Sequence, residues 1–115
     1  MDKGDAMEIR KTYKDISPTL LYDEIKEFVL GQGVKLSQDK FESYSKPSDS
    51  STFIYRGTMS FTRQGKDALS AHIIGSDKGE TKLMLDSLDE VFPAVKMKAL
   101  EDSLNFILGS YEDKK

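Results

Sequence analysis

Residues 52–63, TFIYRGTMSFTR, form the longest run of the chain in which side chains alternate cleanly between two faces. Successive side chains of a β-strand point to opposite faces of the sheet, so odd-numbered residues share one face and even-numbered residues the other. The odd-numbered face carries Phe53, Tyr55, Gly57, Met59 and Phe61. The pattern therefore predicts a central strand whose odd-numbered face is buried.

Two glycine-containing turns set the expected pairing of the strands that follow. The sequences TRQG at 62–65 and SDKG at 76–79 both fit a three-residue loop, in which a type I turn precedes a left-handed glycine. A loop of odd length keeps odd-numbered residues opposite odd-numbered residues. One apolar face over three strands is then predicted through the pairs Met59–Leu69, Gly57–Ala71, Tyr55–Ile73, Ile73–Leu83 and Ala71–Leu85.

Upstream, local signals predict an edge strand followed by a helix. Alternation over residues 7–13 indicates a first strand, and Lys11 interrupts its apolar face, as expected of an edge position or a snorkelling side chain. Ser17 and Pro18 mark a helix start, because serine accepts hydrogen bonds from free amides and proline suits the first helical position. Apolar residues at helical spacing extend this helix to about Leu30.

The second strand and the C-terminal segment are less regular. The apolar phase slips over residues 37–40, which predicts a bulge before a loop at residues 46–51. Residues 86–92 are expected to leave the sheet, with Ser87 and Glu90 forming a capping box. A long helix then follows. Its predicted core-facing stripe is Met97, Leu100, Leu104, Ile107, Leu108 and Tyr111.

The predicted order is β-α-β-β-β-β-α, an α+β two-layer sandwich with an antiparallel sheet and both helices on one face. A chain of 115 residues is expected to form a single domain over 1–115, with loose ends at 1–6 and 112–115. This order resembles the TATA-binding-protein-like and helix-grip folds, in which a curved antiparallel sheet wraps a long C-terminal helix. The resemblance implies such a helix, and helix-grip proteins often keep a cavity beneath it.

Composition narrows the classes of function. The absence of cysteine excludes disulfides, thiolate zinc sites and thiol nucleophiles, and a single histidine, His72, argues against a multi-histidine metal site. The net charge of −3 differs from the clustered positive charge that is typical of nucleic-acid-binding proteins. No stretch of the sequence is long and apolar enough to span a membrane. We therefore expect a cytoplasmic protein with no catalytic residue, metal or cofactor, and neither nucleic acid nor membrane as a partner.

The first candidate site is the even-numbered face of the sheet. The predicted register places Ile54, Ile74 and Met84 on this otherwise polar face, with His72 beside Arg56 and Met84. An exposed apolar patch often marks an interface. The leading hypothesis is accordingly a non-catalytic protein-interaction module that self-associates through this face, as a possible homodimer.

The second candidate site is the space predicted above Gly57 and Ala71. Two small residues side by side on an apolar face leave room that something must fill, with Tyr55 and Met59 as neighbours. In one interpretation Leu104 of the C-terminal helix packs into this room. In the other, as the resemblance implies, a small apolar ligand occupies it.

Overall fold

The computed structural model describes residues 6–76, 79–88 and 92–112. These residues form one antiparallel sheet of five strands and two α-helices, which confirms the predicted class and order of elements. The elements are β1 (Ala6–Lys14), α1 (Pro18–Leu30), β2 (Lys35–Lys46), β3 (Asp49–Arg63), β4 (Lys66–Ser76), β5 (Glu80–Leu88), α2 (Ala94–Leu108) and a 3₁₀ turn (Gly109–Tyr111).

The strands lie side by side in the order β1-β5-β4-β3-β2, so β1 is an edge strand as Lys11 indicated. Of the ends expected to be loose, residues 1–5 and 113–115 lie outside the described residues. Ala6 begins β1, and Glu112 forms an isolated bridge to Tyr13, so these two residues belong to the sheet region.

The core lies between both helices and the odd-numbered face of the sheet. Side chains of this face are almost fully buried at Met59, Phe61, Ala71, Ile73, Leu83 and Leu85. Buried helix residues join the same cluster: Leu21, Ile25 and Val29 of α1 and Met97, Leu100 and Leu104 of α2. The predicted buried face of β3 is thus correct from Gly57 to Phe61, whereas Phe53 near the end of the long β2–β3 hairpin is exposed.

The predicted register between β3 and β4 is wrong by two residues. Gly57 pairs with Ile73 and Met59 pairs with Ala71. The turn is a two-residue loop, Gln64-Gly65, and the positive φ of both residues is that of a type I′ turn. A bulge after Phe61 inserts one extra residue in β4 and restores odd-to-odd pairing. The apolar pattern therefore predicted correctly that odd-numbered residues lie opposite odd-numbered residues, but it did not predict which of them are paired.

The pairing of β4 with β5 follows the prediction. Ile73 lies opposite Leu83 and Ala71 opposite Leu85. Residues 77 and 78 of the predicted three-residue loop lie outside the described residues. In β2, the expected bulge is present between Leu36 and Gln38. The loop predicted at 46–51 is wrong, because β2 extends to Lys46 and β3 starts at Asp49.

Helix α1 begins and ends as predicted. The Ser17 hydroxyl accepts a hydrogen bond from the Leu20 amide at 3.0 Å, and Pro18 occupies the first helical position. Gly33 follows the helix with a φ of +88°, a conformation that glycine adopts without a steric penalty. The helix packs on β3 and β4, in the middle of the sheet.

Two predictions for the C-terminal segment are wrong. Residues 86–88 continue β5 in pairing with β1, so Ser87 belongs to a strand and caps no helix, and Glu90 lies outside the described residues. Helix α2 packs at the β1 edge, where it buries only a narrow stripe. Ile107 and Tyr111, which were expected in the core, are consequently exposed.

Candidate functional site

The even-numbered face of the sheet, hereafter the outer face, is covered by neither α1 nor α2, since both pack into the odd-numbered side. Four apolar side chains on neighbouring strands form a line across it. Tyr44 lies opposite Ile54, and Ile54 lies diagonal to Ile74. Ile74 in turn lies diagonal to Met84. We call this set of residues, Tyr44, Ile54, Ile74 and Met84, the outer-face stripe.

The members of the outer-face stripe are partly exposed and are neighbours in the sheet. Tyr44 is 43% exposed and Ile74 is 40% exposed, while Ile54 and Met84 are half-buried. Diagonal neighbours in an antiparallel sheet lie about 7 to 8 Å apart, within reach of large side chains. The predicted residues Ile54, Ile74 and Met84 therefore share one surface. Tyr44 was not predicted to belong to this surface. It is nevertheless an even-numbered residue that follows the bulge in β2, and such residues lie on the outer face.

The two polar residues predicted for this face are both on it, but not side by side. His72 lies opposite Thr58 and Met84, whereas Arg56 lies opposite Ile74 and Glu42. The predicted placement of Arg56 directly opposite His72 is wrong because it depended on the incorrect β3–β4 register, and the two residues lie diagonally instead. Arg56 instead flanks the outer-face stripe on one side, and Lys82, opposite Ile74, flanks it on the other.

The Tyr44 end of the stripe is held by a hydrogen bond. The Tyr44 hydroxyl donates to the Glu42 carboxylate at 2.9 Å, and Lys40 Nζ lies 3.4 Å from the other carboxylate oxygen. The hydrogen bond from Tyr44 lowers the pKa of Glu42, and the nearby charges of Lys40 and Arg56 act in the same direction. Glu42 is therefore ionised at neutral pH and orients the Tyr44 ring.

The space above Gly57 is filled from α1. A Cβ atom built on Gly57 would lie 2.5 Å from two ring carbons of Tyr22 and 2.9 Å from Phe41 Cδ1. The Tyr22 ring packs on Phe41 with centroids 4.7 Å apart, and its hydroxyl donates to Asp39, which also accepts from Lys26 Nζ at 2.9 Å. The predicted Gly57–Ala71 pair is wrong, and Tyr22, not Leu104, occupies the room.

The other residues of that predicted pocket are packed. Met59, Ala71 and Leu104 are buried, and Tyr55 stacks on Phe41 with centroids 5.9 Å apart. Four surface pockets formed by the described residues are lined by other side chains. The apolar ligand between sheet and C-terminal helix stays a prediction, and none of these pockets favours it.

A polar cluster holds α2 against β1. Lys11, whose side chain is only 10% exposed, places Nζ 3.3 Å from Glu101 and 3.4 Å from Glu112 and donates to Asn105 Oδ1 at 3.2 Å. Tyr13 lies two residues further along the same face, and its hydroxyl is buried without a hydrogen-bond partner among the described residues. The cluster explains how a lysine fits on the apolar face of an edge strand.

Replacing Tyr13 with phenylalanine should leave stability at pH 7 unchanged or raise it by up to about 1 kcal/mol, because the buried hydroxyl has no partner. Burial raises the Tyr13 pKa, and the Glu112 and Glu101 charges raise it further. Unfolded tyrosine ionises near about pH 10. Wild-type stability is therefore fully present below that pH and lost as pH rises through the folded-state pKa.

Urea denaturation at several alkaline pH values measures this effect. Tyr13→Phe should lose less stability above about pH 10 than wild type does. Tyr111→Phe, which removes an exposed hydroxyl, is the matched control and should follow the wild-type curve. An alkaline stability loss in Tyr13→Phe equal to that of wild type would contradict the role given to this hydroxyl.

Within the described residues, no three or more His, Asp or Glu side chains are grouped so that they could hold a metal ion. Neither α1 nor α2, the two α-helices described, is long and apolar enough to cross a membrane. Comparison with known proteins found no matching family model, no matching curated protein and no matching solved structure.

Proposed function

We propose that this chain is a non-catalytic protein-interaction module that forms a homodimer through the outer-face stripe. The observation that carries the proposal is the diagonal line of Tyr44, Ile54, Ile74 and Met84 across four strands of a sheet face that α1 and α2 leave open. Scattered single apolar side chains are ordinary on protein surfaces, but a contiguous patch often marks an interface.

The charges beside the stripe suit a contact between two identical surfaces. Arg56 and Glu42 lie on one side of it, and Lys82 and Glu80 lie on the other. In a two-fold contact each residue meets the same surface of the other subunit, so a single-sign surface would repel itself. Charges of both signs around an apolar line favour a second copy as the partner.

The size of the stripe sets the expected affinity. At about 4.8 Å between neighbouring strands, the four strands from β2 to β5 are roughly 14 Å apart from first to last, which is only part of the outer face. Stable interfaces bury about 800 Å² per partner, and smaller ones belong to weak or transient complexes. We therefore expect a dissociation constant on the order of ten micromolar, so the dimer forms only in concentrated solution.

Sedimentation velocity over roughly 5 to 500 micromolar protein, a range that brackets this affinity, tests the proposal. Wild type should shift from monomer to dimer. Ile74→Lys should stay monomeric, because it places a third positive charge between Arg56 and Lys82 in the middle of the stripe. Like charges opposite each other in a sheet cost up to about 1 kcal/mol, so the denaturation midpoint should fall slightly and the monomer should stay folded.

The matched control is Phe106→Ser on α2, which removes a side chain that is 91% exposed on another surface. It should associate as wild type does. A strictly monomeric wild type, or Ile74→Lys with unchanged association, would refute the proposal. Loss of association in Phe106→Ser alone would place the interface on α2 and also refute it.

A further inference from the structure

Helix α2 runs alongside the free edge of β1, and one end of the space between them is closed. Strand β1 pairs with β5 on one side, and among the described residues only Glu112 joins it on the other, through an antiparallel bridge to Tyr13. Lys11 contacts Glu101 of α2 and Glu112 beside this bridge. The Tyr13 end of the edge is therefore already occupied.

The other end of this edge is open. A pocket of about 240 Å³ is lined by residues 7–10 of β1 and by Ala94, Met97, Lys98 and Glu101 of α2. Consecutive residues of a strand point to opposite faces of the sheet. A cavity that touches four of them in a row, and none of the described residues of β5, must lie at the free edge. We call the residues that line this pocket the edge groove.

The Glu112 bridge shows that this edge accepts an added strand. An edge strand presents a row of unpaired backbone N–H and C=O groups. Glu112 lies antiparallel to β1 at Tyr13, and residues 7–10 offer the same kind of edge a few residues further along. An extended peptide can join such an edge, where backbone hydrogen bonds give affinity and pockets select its side chains.

A second copy of this chain does not fit the edge groove. Two β1 strands paired antiparallel are related by a two-fold axis perpendicular to the sheet, so both α2 helices would lie on the same face. Each helix packs on its own β1. The two strands would be about 4.8 Å apart, whereas packed helices need roughly 8 to 10 Å between their axes. The occupant is therefore a peptide without a flanking helix.

The side chains of β1 define the peptide. Glu8 and Arg10 lie on the outer face, where they are paired with each other at 2.8 Å and remain accessible. Opposite charges on neighbouring strands attract, so a residue opposite Arg10 should be acidic and a residue opposite Glu8 should be basic. Between them, Ile9 and Met97 present buried apolar surface on the inner side, which suits an apolar residue.

From this arrangement we propose that the edge groove binds an extended peptide of another protein as an antiparallel sixth strand. Read from its N-terminus, the peptide has an acidic residue opposite Arg10, an apolar residue opposite Ile9 and a basic residue opposite Glu8. The proposal does not depend on the homodimer, because the outer-face stripe lies on β2 to β5 and the edge groove lies on the free edge of β1.

NMR titration of the ¹⁵N-labelled chain at about 20 micromolar with the capped peptide Thr-Glu-Leu-Lys-Val-Thr tests the proposal, with a dissociation constant expected on the order of 100 micromolar. Saturable shifts are expected at the amides of Met7, Ile9 and Met97. Strand β2, the other edge of the sheet, is the internal control, and its amides should not shift. No saturable shift, or equal shifts along β2, would overturn the proposal.

Exchanging charges tests the predicted direction and register. The peptide Thr-Lys-Leu-Glu-Val-Thr should bind wild type about tenfold more weakly. Glu8→Arg combined with Arg10→Glu keeps the ion pair within β1 and should reverse this preference. Equal affinities of the two peptides for wild type, or an unchanged preference in the double variant, would overturn the proposal.

The variant Ile74→Lys separates this proposal from the homodimer. It should bind the Thr-Glu-Leu-Lys-Val-Thr peptide as wild type does, because residue 74 lies on β4, away from the edge groove. Loss of peptide binding in Ile74→Lys would place the peptide on the outer-face stripe and overturn the proposal. Sedimentation of the same variant reports on the homodimer alone, so the two failures are distinguishable.

Discussion

Replacing Gly57 with valine should destabilise the protein by about 3 kcal/mol, the upper end of the usual cost of overpacking a core. The Cβ atom alone would lie 2.5 Å from the Tyr22 ring, closer than real Cβ contacts. Gly57 has no positive φ, so backbone strain is not the cause. The steric conflict should displace α1 from the sheet, and urea denaturation measures the loss.

A double-mutant cycle shows whether Tyr22 is the opposing group. Tyr22→Ala alone should also destabilise, by about 3 to 5 kcal/mol, because it empties a buried site. Combined with Gly57→Val, it leaves room for the new methyl groups, so the double variant should be more stable than additivity predicts by about 2 kcal/mol.

Two further variants separate the physical causes. Gly57→Ala should already destabilise, because the conflict begins at Cβ. Tyr22→Phe keeps the ring and should give no relief when it is combined with Gly57→Val. If the denaturation midpoint of Gly57→Val equalled or exceeded that of wild type, the packing of α1 on Gly57 would be contradicted.

Replacing Lys11 with methionine should cost about 3 kcal/mol. Methionine keeps the apolar stem but removes the charge that Glu101 and Glu112 share, so two carboxylates are left side by side against β1. Removing one partner of a buried ion pair is costly because the other stays uncompensated. The attachment of α2 to the sheet edge should weaken with it, which urea denaturation measures.

The matched control for Lys11→Met lies on the exposed side of α2. Lys98 pairs with Asp102 at 3.2 Å, but both side chains are mostly exposed, so Lys98→Met should change stability by no more than about 0.5 kcal/mol. Adding Glu112→Gln to Lys11→Met should recover part of the loss. Equal stabilities of Lys11→Met and Lys98→Met would contradict a structural role for the Lys11 cluster.

Much of the fold could be predicted because its signals are local. Ser17 and Pro18 fix the start of α1 whatever the rest of the chain does, and alternation from Gly57 to Phe61 reports the buried face of β3 directly. The β3–β4 register, by contrast, has no such local signal in the sequence. A two-residue loop followed by a bulge at Ala68 preserves the same parity as a three-residue loop, so burial could not distinguish them.

The candidate sites divide in the same way. Ile54, Ile74 and Met84 were assigned to the outer face by parity alone, and a two-residue error in register leaves parity unchanged. Their diagonal arrangement and the position of Tyr44 opposite Ile54 depend on register and became visible only in the sheet. The packing of Tyr22 on Gly57 was not predicted. Helical spacing indicates which face of α1 carries Tyr22, but it does not indicate which strand lies beneath that face.

The stripe-mediated homodimer is tested most directly by ¹⁵N NMR spectra of the wild-type chain over a concentration series from about 20 micromolar to about 1 millimolar. Association through the outer-face stripe predicts that amide signals of Ile54, Ile74 and Met84 shift progressively and saturably with concentration, while those around Phe106 stay constant. Spectra that do not change with concentration, or changes confined to α2, would contradict the account.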